Sequence, residues 1–195
     1  VEPIKPHLAM KLDSLSDLPA MQPPPGFSVR SYQPGDEDSW NAIISESFER
    51  RADFESEIRS KVQYVPERVW FVLSSNRAVA TATAWRIGKF GMDYGTVHMV
   101  GRVRDPSAKG SGKLATIAVL HRLRFEGLNK AVLQTYDFRL PAISVYLGLG
   151  FVPLLVHENQ RQRWVDVFKN LGRSDLADSF SGILGGPVME TVDDP

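Results

Sequence analysis

Lys109-Gly110-Ser111-Gly112-Lys113 places two glycines and two lysines within five positions. Glycine lets a backbone approach a ligand closely and adopt positive φ. The free N–H groups of a helix that starts there, aided by its dipole, face an anion. A phosphate-bearing ligand is the guest this chemistry suits. Two established phosphate motifs do not fit. A P-loop needs G-x-x-x-x-G-K-S/T, but Ser107 stands at the first glycine and Leu114 at the hydroxyl position. The dinucleotide fingerprint G-x-G-x-x-G, started at Gly110, meets Ala115 at its third glycine. Taken alone, the turn also reads as a solvated glycine-rich helix cap.

Among proton-transfer candidates, His98 shares a strand face with Tyr94, Thr96 and Val100, opposite Val97 and Met99. An imidazole near its unperturbed pKa of ~6.5 could take a proton directly or through water, although a lone histidine is more often structural. Asp93 and Glu46 are alternatives that no spacing supports. His121 reads as a hydrogen-bonded packing residue; with His7 and His157 it forms no metal-ligand pattern, so no metal site is proposed. Arg86, Arg102 and Arg139 read as solvated surface arginines, and Trp70 and Trp85 as core aromatics.

The elements that must position these groups follow from periodicity. The stretch 27–32 (FSVRSY) alternates as a half-buried strand. Trp40, Ile43, Ile44 and Phe48 recur at helical spacing behind Asp36 as a cap, and Asp53 caps a second helix carrying Phe54, Ile58 and Val62. Strands are predicted over 69–74 and 78–87, joined by a tight turn at 75–77. The second sets Ala78, Ala80, Ala82 and Ala84 on one face, where a helix can approach closely. A long strand follows over 94–103, then a helix over 111–127 with Leu114, Ile117, Ala118 and Phe125 on its buried side. A strand at 131–135, a helix at 141–149, a strand at 151–156 and an amphipathic helix around Trp164, Val167, Phe168 and Leu171 complete the order. An antiparallel meander followed by strand–helix–strand crossovers makes a mixed α/β sheet.

At 195 residues the chain fits one globular unit. Residues 1–26, broken by six prolines from Pro3 to Pro25, read as an extended arm, packed on the domain or on a partner, and not as a secretory signal. The domain proper is placed at 27–172 and a weakly patterned, acidic-ended tail at 173–195, which reads as solvated. No apolar run approaches the ~20 residues of a membrane span. Lys and Arg together number 23 and so do Asp and Glu, a balance that argues against nucleic-acid partners. With no cysteine, disulfides, thiolate metal sites and a cysteine nucleophile are excluded. A cytoplasmic location is the default expectation.

The stretch from Val100 to Phe151 resembles the core of the GNAT acetyltransferase superfamily. The family's pyrophosphate loop, Q/R-x-x-G-x-G/A between a strand and a long helix, is matched by Ser107-Ala108-Lys109-Gly110-Ser111-Gly112. Its later motif, a helix with Ala and Tyr four apart closing in Gly-Phe, is matched by Ala142, Tyr146, Gly150 and Phe151. The loop's leading Gln or Arg is Ser107 here, with Lys109 and Lys113 as replacement cations, and an Asn common three residues before the helix alanine is Arg139.

The resemblance implies a mostly antiparallel mixed sheet, splayed between its fourth and fifth strands, with helices on both faces. It implies acetyl-CoA, or another acyl-CoA, as co-substrate, with no metal. Main-chain groups of Val100, Gly101, Arg102 and Val103 would pair with the pantetheine arm, and the segment Ser107 to Lys113 would hold the pyrophosphate. Tyr146 would be the general acid toward the departing thiolate, and a backbone N–H near Val100 the oxyanion donor. The acceptor would be a small-molecule or peptide amine. Oligomeric state stays open; dimers are common in the superfamily. The alternative reading is a catalytically weak or inactive acyl-CoA-binding module, and a third is an interaction subunit without CoA affinity.

Overall fold

The computed structural model of the chain describes residues 6–192. A seven-stranded sheet runs in the order β2-β3-β4-β5-β6-β1-β7. Its strands are β1 (Leu8–Leu12), β2 (Phe27–Ser31), β3 (Val69–Ser74), β4 (Arg77–Trp85), β5 (Tyr94–Arg102), β6 (Lys130–Thr135) and β7 (Val152–Leu154). Every neighbouring pair is antiparallel except β5 and β6, as the helical crossover between those two requires.

Helix α1 (Glu37–Phe48) and a π-helical turn at Glu55–Arg59 cover one face, burying Trp40, Ile43, Ile44, Phe54 and Ile58 with Phe71 of β3. Helices α2 (Ser111–Phe125) and α4 (Gln160–Asn170) contribute to a core that holds Ala80, Ala82, Ala84, Val119, Leu120 and Trp164. The small alanine side chains bring α2 close to β4. Val79 joins this core where Ala78 was expected, because a bulge against Val72/Leu73 inserts one residue into β4. Helix α3 (Leu140–Gly148) joins β6 to β7, and two short helices, α5 (Asp175–Ser179) and α6 (Ser181–Leu184), end the described chain.

Two features place the cleft. The parallel pairing of β5 and β6 stops at Val97↔Leu133, and the strands diverge beyond it. At the same point β5 bulges: Thr83 pairs with His98 but Thr81 with Gly101, so Met99 and Val100 together oppose Ala82. Met99 absorbs the kink at φ 50°, unusual for a non-glycine residue. Helices clamp the strand on both sides of the bulge. A Cβ on Gly95 would lie 2.5 Å from Leu123 of α2, and one on Gly101 would lie 2.8 Å from Ile44 of α1.

Several expectations are corrected here. The described part of the 1–26 segment, residues 6–26, does not lie outside the domain, since Leu8, Ala9 and Met10 are fully buried and β1 links β6 to β7. Residues 1–5 and the acidic end 193–195 lie outside the described residues. The rest of the tail packs partly onto the core through Leu176, Phe180 and Leu184. Asp36 makes no side-chain cap; its carboxylate instead accepts from Arg30 and from the N–H of Gln33. Val62 (93% exposed) lies beyond the π-helical turn, and Phe125 (82% exposed) points away from the α2 core, its place taken by Ala115, Val119 and Leu123. Among the described residues no helix is long and apolar enough to cross a membrane.

Candidate active site

The divergence of β5 from β6 opens two cavities that share a wall. The first, about 820 Å³, is lined by Val100, Gly101, Arg102 and Val103 of β5 and its end, by Lys109, Gly110, Gly112 and Lys113 at the start of α2, and by α3. Eight of the eleven residues expected to hold the co-substrate therefore meet on one cavity. Ser107, Ala108 and Ser111 do not line it; they build the loop. Asp105 accepts from the Ser107 N–H at 2.8 Å, Ala108 is buried, and the Ser111 hydroxyl donates to the Ala108 carbonyl at 2.6 Å. Asp105 is thus a loop-organising residue that the motif reading missed, and an Asp before Pro in a turn is a signal that could have found it.

Gly110 is the N-cap of α2 at φ 88°, a left-handed conformation with open space around it. The first intrahelical bond runs from the Leu114 N–H to the Gly110 carbonyl, so the N–H groups ahead of it belong to the unpaired first turn. That turn carries no acidic residue, and a Cβ on Gly112 would meet nothing closer than 3.9 Å. An open, cationic, N–H-rich cradle of this kind fits a pyrophosphate.

The second cavity, about 720 Å³, holds His98, Trp85, Thr96, Tyr136 and, from the N-terminal segment, His7. His7 is a site residue that sequence reasoning passed over. Gln160 of α4 fixes it by donating to its carbonyl at 2.7 Å, and its ring lies 4.4 Å from that of Tyr136. The Thr96 hydroxyl is buried on this wall without a partner. Glu46 and Asp93 lie elsewhere, accepting from the Arg104 N–H and from Lys130 respectively.

His98 stacks on Trp85 at 5.1 Å, and burial pulls its pKa down to about 4. The imidazole is therefore neutral at physiological pH, but it is a weaker base than its sequence suggested. The bulge also removes the simple alternation that placed Val100 on its face. A stability signature follows. Between ~6.5 and 4 the unfolded chain binds a proton that the native state refuses, so native stability falls with falling pH across that window. Relative to His98→Gln, the wild type should lose up to about 3 kcal/mol there. Urea denaturation of both proteins at about pH 7 and about pH 4.5 checks this; a pH-independent difference would contradict it.

Tyr146 lies on the wall common to both cavities. Pro141 opens α3, and the chain leaves it through Gly150 at φ 89°, while the Tyr146 carbonyl accepts from Leu149 and Phe151. Its ring packs 6.0 Å from Phe151, and burial pushes the phenol up to about 12. Arg139, expected as a solvated arginine, shares that wall and stacks on Phe48 at 4.0 Å.

No family model matches the chain. Over 147 residues it is 31% identical to mycothiol acetyltransferase of Pseudarthrobacter chlorophenolicus, covering 70% of this chain and 46% of that protein. The chain spans about half the length of the curated relatives it matches. A GCN5-related N-acetyltransferase from Sphaerobacter thermophilus superposes with a TM-score of 0.57 at 20% identity, covering 76% of this chain and 49% of that one. The ribosomal-protein-S18-alanine N-acetyltransferase from Escherichia coli gives 0.52 at 18% identity, covering 65% and 77% respectively.

Proposed function

We propose that this chain, which belongs to the GCN5-related N-acetyltransferase superfamily, moves an acetyl group from acetyl-CoA to a primary amine within a ternary complex. The observation that carries this reading is the pair of cavities meeting at Val100 and Tyr146, one ending in the glycine cradle of α2 and the other offering room for an acceptor. The pantetheine arm would lie along the edge of β5 beyond Val97, where pairing with β6 has ended, and would place its thioester at the shared wall. The amine enters from the His98 side and attacks the carbonyl carbon. A main-chain N–H freed by the bulge at Met99–Val100 supplies the oxyanion donor.

His98 is the residue toward which the amine's proton moves, directly or through water, and Tyr146 donates to the departing sulfur. Positioning supplies much of the rate, since direct attack needs no metal ion or covalent intermediate. Relatives named for mycothiol and for an alanine of ribosomal protein S18 leave the acceptor class at small-molecule or peptide amines. A cytoplasmic setting, with or without pairing of two copies, belongs to the same proposal. The acetyltransferase names of the relatives weigh against the non-catalytic alternative.

Calorimetry with acetyl-CoA followed by a thiol-release assay over a panel of amines tests the reading, and the cysteine-free chain contributes no background. Binding with amine-dependent thiol release is expected. Binding without release would favour the inactive module, and no binding would reject the assignment.

A further inference from the structure

Four side chains line both cavities: Phe48, Val100, Arg139 and Tyr146. Val100 and Tyr146 already have roles and Phe48 is apolar, which leaves one charged group at the junction. Arg139 immediately precedes α3, and its Nη2 donates to the Ser47 carbonyl at the end of α1 at 3.0 Å. Its guanidinium lies close enough on Phe48 to bring its central carbon 4.0 Å from the ring centroid. Its Nε is buried and has no hydrogen-bond partner, and no carboxylate among the described residues pairs with it. A guanidinium on a cavity wall with no carboxylate partner can pair with an anion that enters the cavity. Other partly buried arginines of this fold are paired, as Arg163 with Asp137 and Arg68 with Glu126 show.

The leaving group needs such a cation. When the carbon–sulfur bond breaks, its electron pair goes to sulfur. Tyr146, held at about 12, stands well above an ordinary thiol near ~8.5, so complete proton transfer from the phenol to the thiolate is uphill. The sulfur therefore carries much of a negative charge at the moment of cleavage, and the phenol meets that with only a hydrogen bond. Arg139 is also the charged group whose field favours the Tyr146 anion, which places it electrostatically beside the same point.

We propose that Arg139 is a catalytic residue of the acyl transfer, its guanidinium charge on the wall shared by the two cavities receiving the sulfur of coenzyme A as the thioester opens. The inference rests on the acetyl-CoA reading above. The amine nitrogen forms the new bond to the carbonyl carbon, the carbon–sulfur bond breaks, and the thiolate leaves paired with Arg139. The amine's proton leaves toward His98 and solvent, and the thiolate, hydrogen-bonded by Tyr146 until then, is protonated from solvent as product departs.

The test uses the product itself. Because the chain contains no cysteine, thiolate ultraviolet absorbance in its complex with CoA reports the CoA thiol alone. After calorimetry has established binding, the thiol of bound CoA should titrate at least about one unit below that of free CoA, the shift a nearby opposite charge produces. Arg139→Gln should return it to the free value or above. In parallel its kcat should fall at least about tenfold, with a smaller change in the KM for acetyl-CoA. Arg139→Lys, which keeps the charge but not the guanidinium, should retain part of the shift.

An unshifted thiol in the wild type, or a shift that survives in Arg139→Gln, overturns the assignment and leaves Arg139 as a strut between α3 and α1. Should Arg139→Gln fail to fold, Arg139→Met, which keeps an apolar stem against Phe48, takes its place in the same titration. Absence of CoA binding in the calorimetry rejects the acetyl-CoA reading, and this inference with it, before any titration is made.

Discussion

Replacing Tyr146 with Phe should lower kcat by about 100-fold while leaving acetyl-CoA affinity essentially unchanged. The substitution removes one hydroxyl and keeps the ring that packs against Phe151, so the wall of the cleft stays in place. In the proposed mechanism, what is lost is the donor that meets the sulfur as negative charge develops, an interaction stronger in the transition state than in the bound thioester. Such a loss falls on kcat and kcat/KM together. Steady-state kinetics with saturating amine, alongside calorimetry of the variant with acetyl-CoA, separates the two effects. An unchanged rate would remove Tyr146 from the mechanism, whereas a weakened affinity with normal kcat would make it a packing residue of the cofactor wall.

A second large effect is expected at the other end of the same cavity. Gly112→Asp should weaken acetyl-CoA binding by about 100-fold without destabilising the fold. The position is open, and the nearest atom to a Cβ at this position is Arg102 Cδ at 3.9 Å, so the carboxylate fits sterically. In the first turn of α2 a negative charge even stabilises the helix, by roughly 0.3–1 kcal/mol. The same charge, tethered where a pyrophosphate would sit and drawn to Lys109, Lys113 and Arg102, competes with the ligand. At ~5 Å and an effective dielectric of ~20 the repulsion is about 3 kcal/mol, or two decades of affinity. Thermal denaturation and calorimetry together check the opposite signs. Unchanged affinity would show that the cradle does not hold phosphate.

The two variants probe features of unequal legibility. The glycine turn was readable as a helix start because its needs are local: a positive φ at Gly110, an open Cβ position at Gly112 and free N–H groups at a helix start are all properties of consecutive residues. The helix around Tyr146 was readable for the same reason, with Pro141 starting it and Gly150 ending it. Periodicity likewise placed β3, β5 and α1 close to their observed bounds. Where local signals were weak or overruled, the reading missed. Leu8-Ala9-Met10 is a short apolar run among prolines, and an arm and a strand buried on both faces look alike in such a run. Its burial depends on β6 and β7, more than a hundred residues away in the chain. With β1 misplaced, His7 could not be seen as part of the second cavity.

Arg139 shows the same limit at the scale of one side chain. Arginines are most often solvated at the surface, which made that the natural reading of Arg139. Contact with Phe48 and Ser47 of α1, across the cleft, is what buries its Nε and turns it toward both cavities. His98 changed in the opposite direction, since the walls around it lower its basicity.

The glycine turn that opens α2, the helix that carries Tyr146 and the mixed sheet could all be read from the residues alone, because each rests on residue identity or on spacing within a few turns of chain. Folding in three dimensions was needed to establish which strand joins β6 to β7, where the β5 bulge opens the cleft, how strong a base His98 is and which cation stands at the junction. Those depend on burial and on contacts between segments far apart in sequence, and no local pattern encodes the dielectric or the partners that such packing creates.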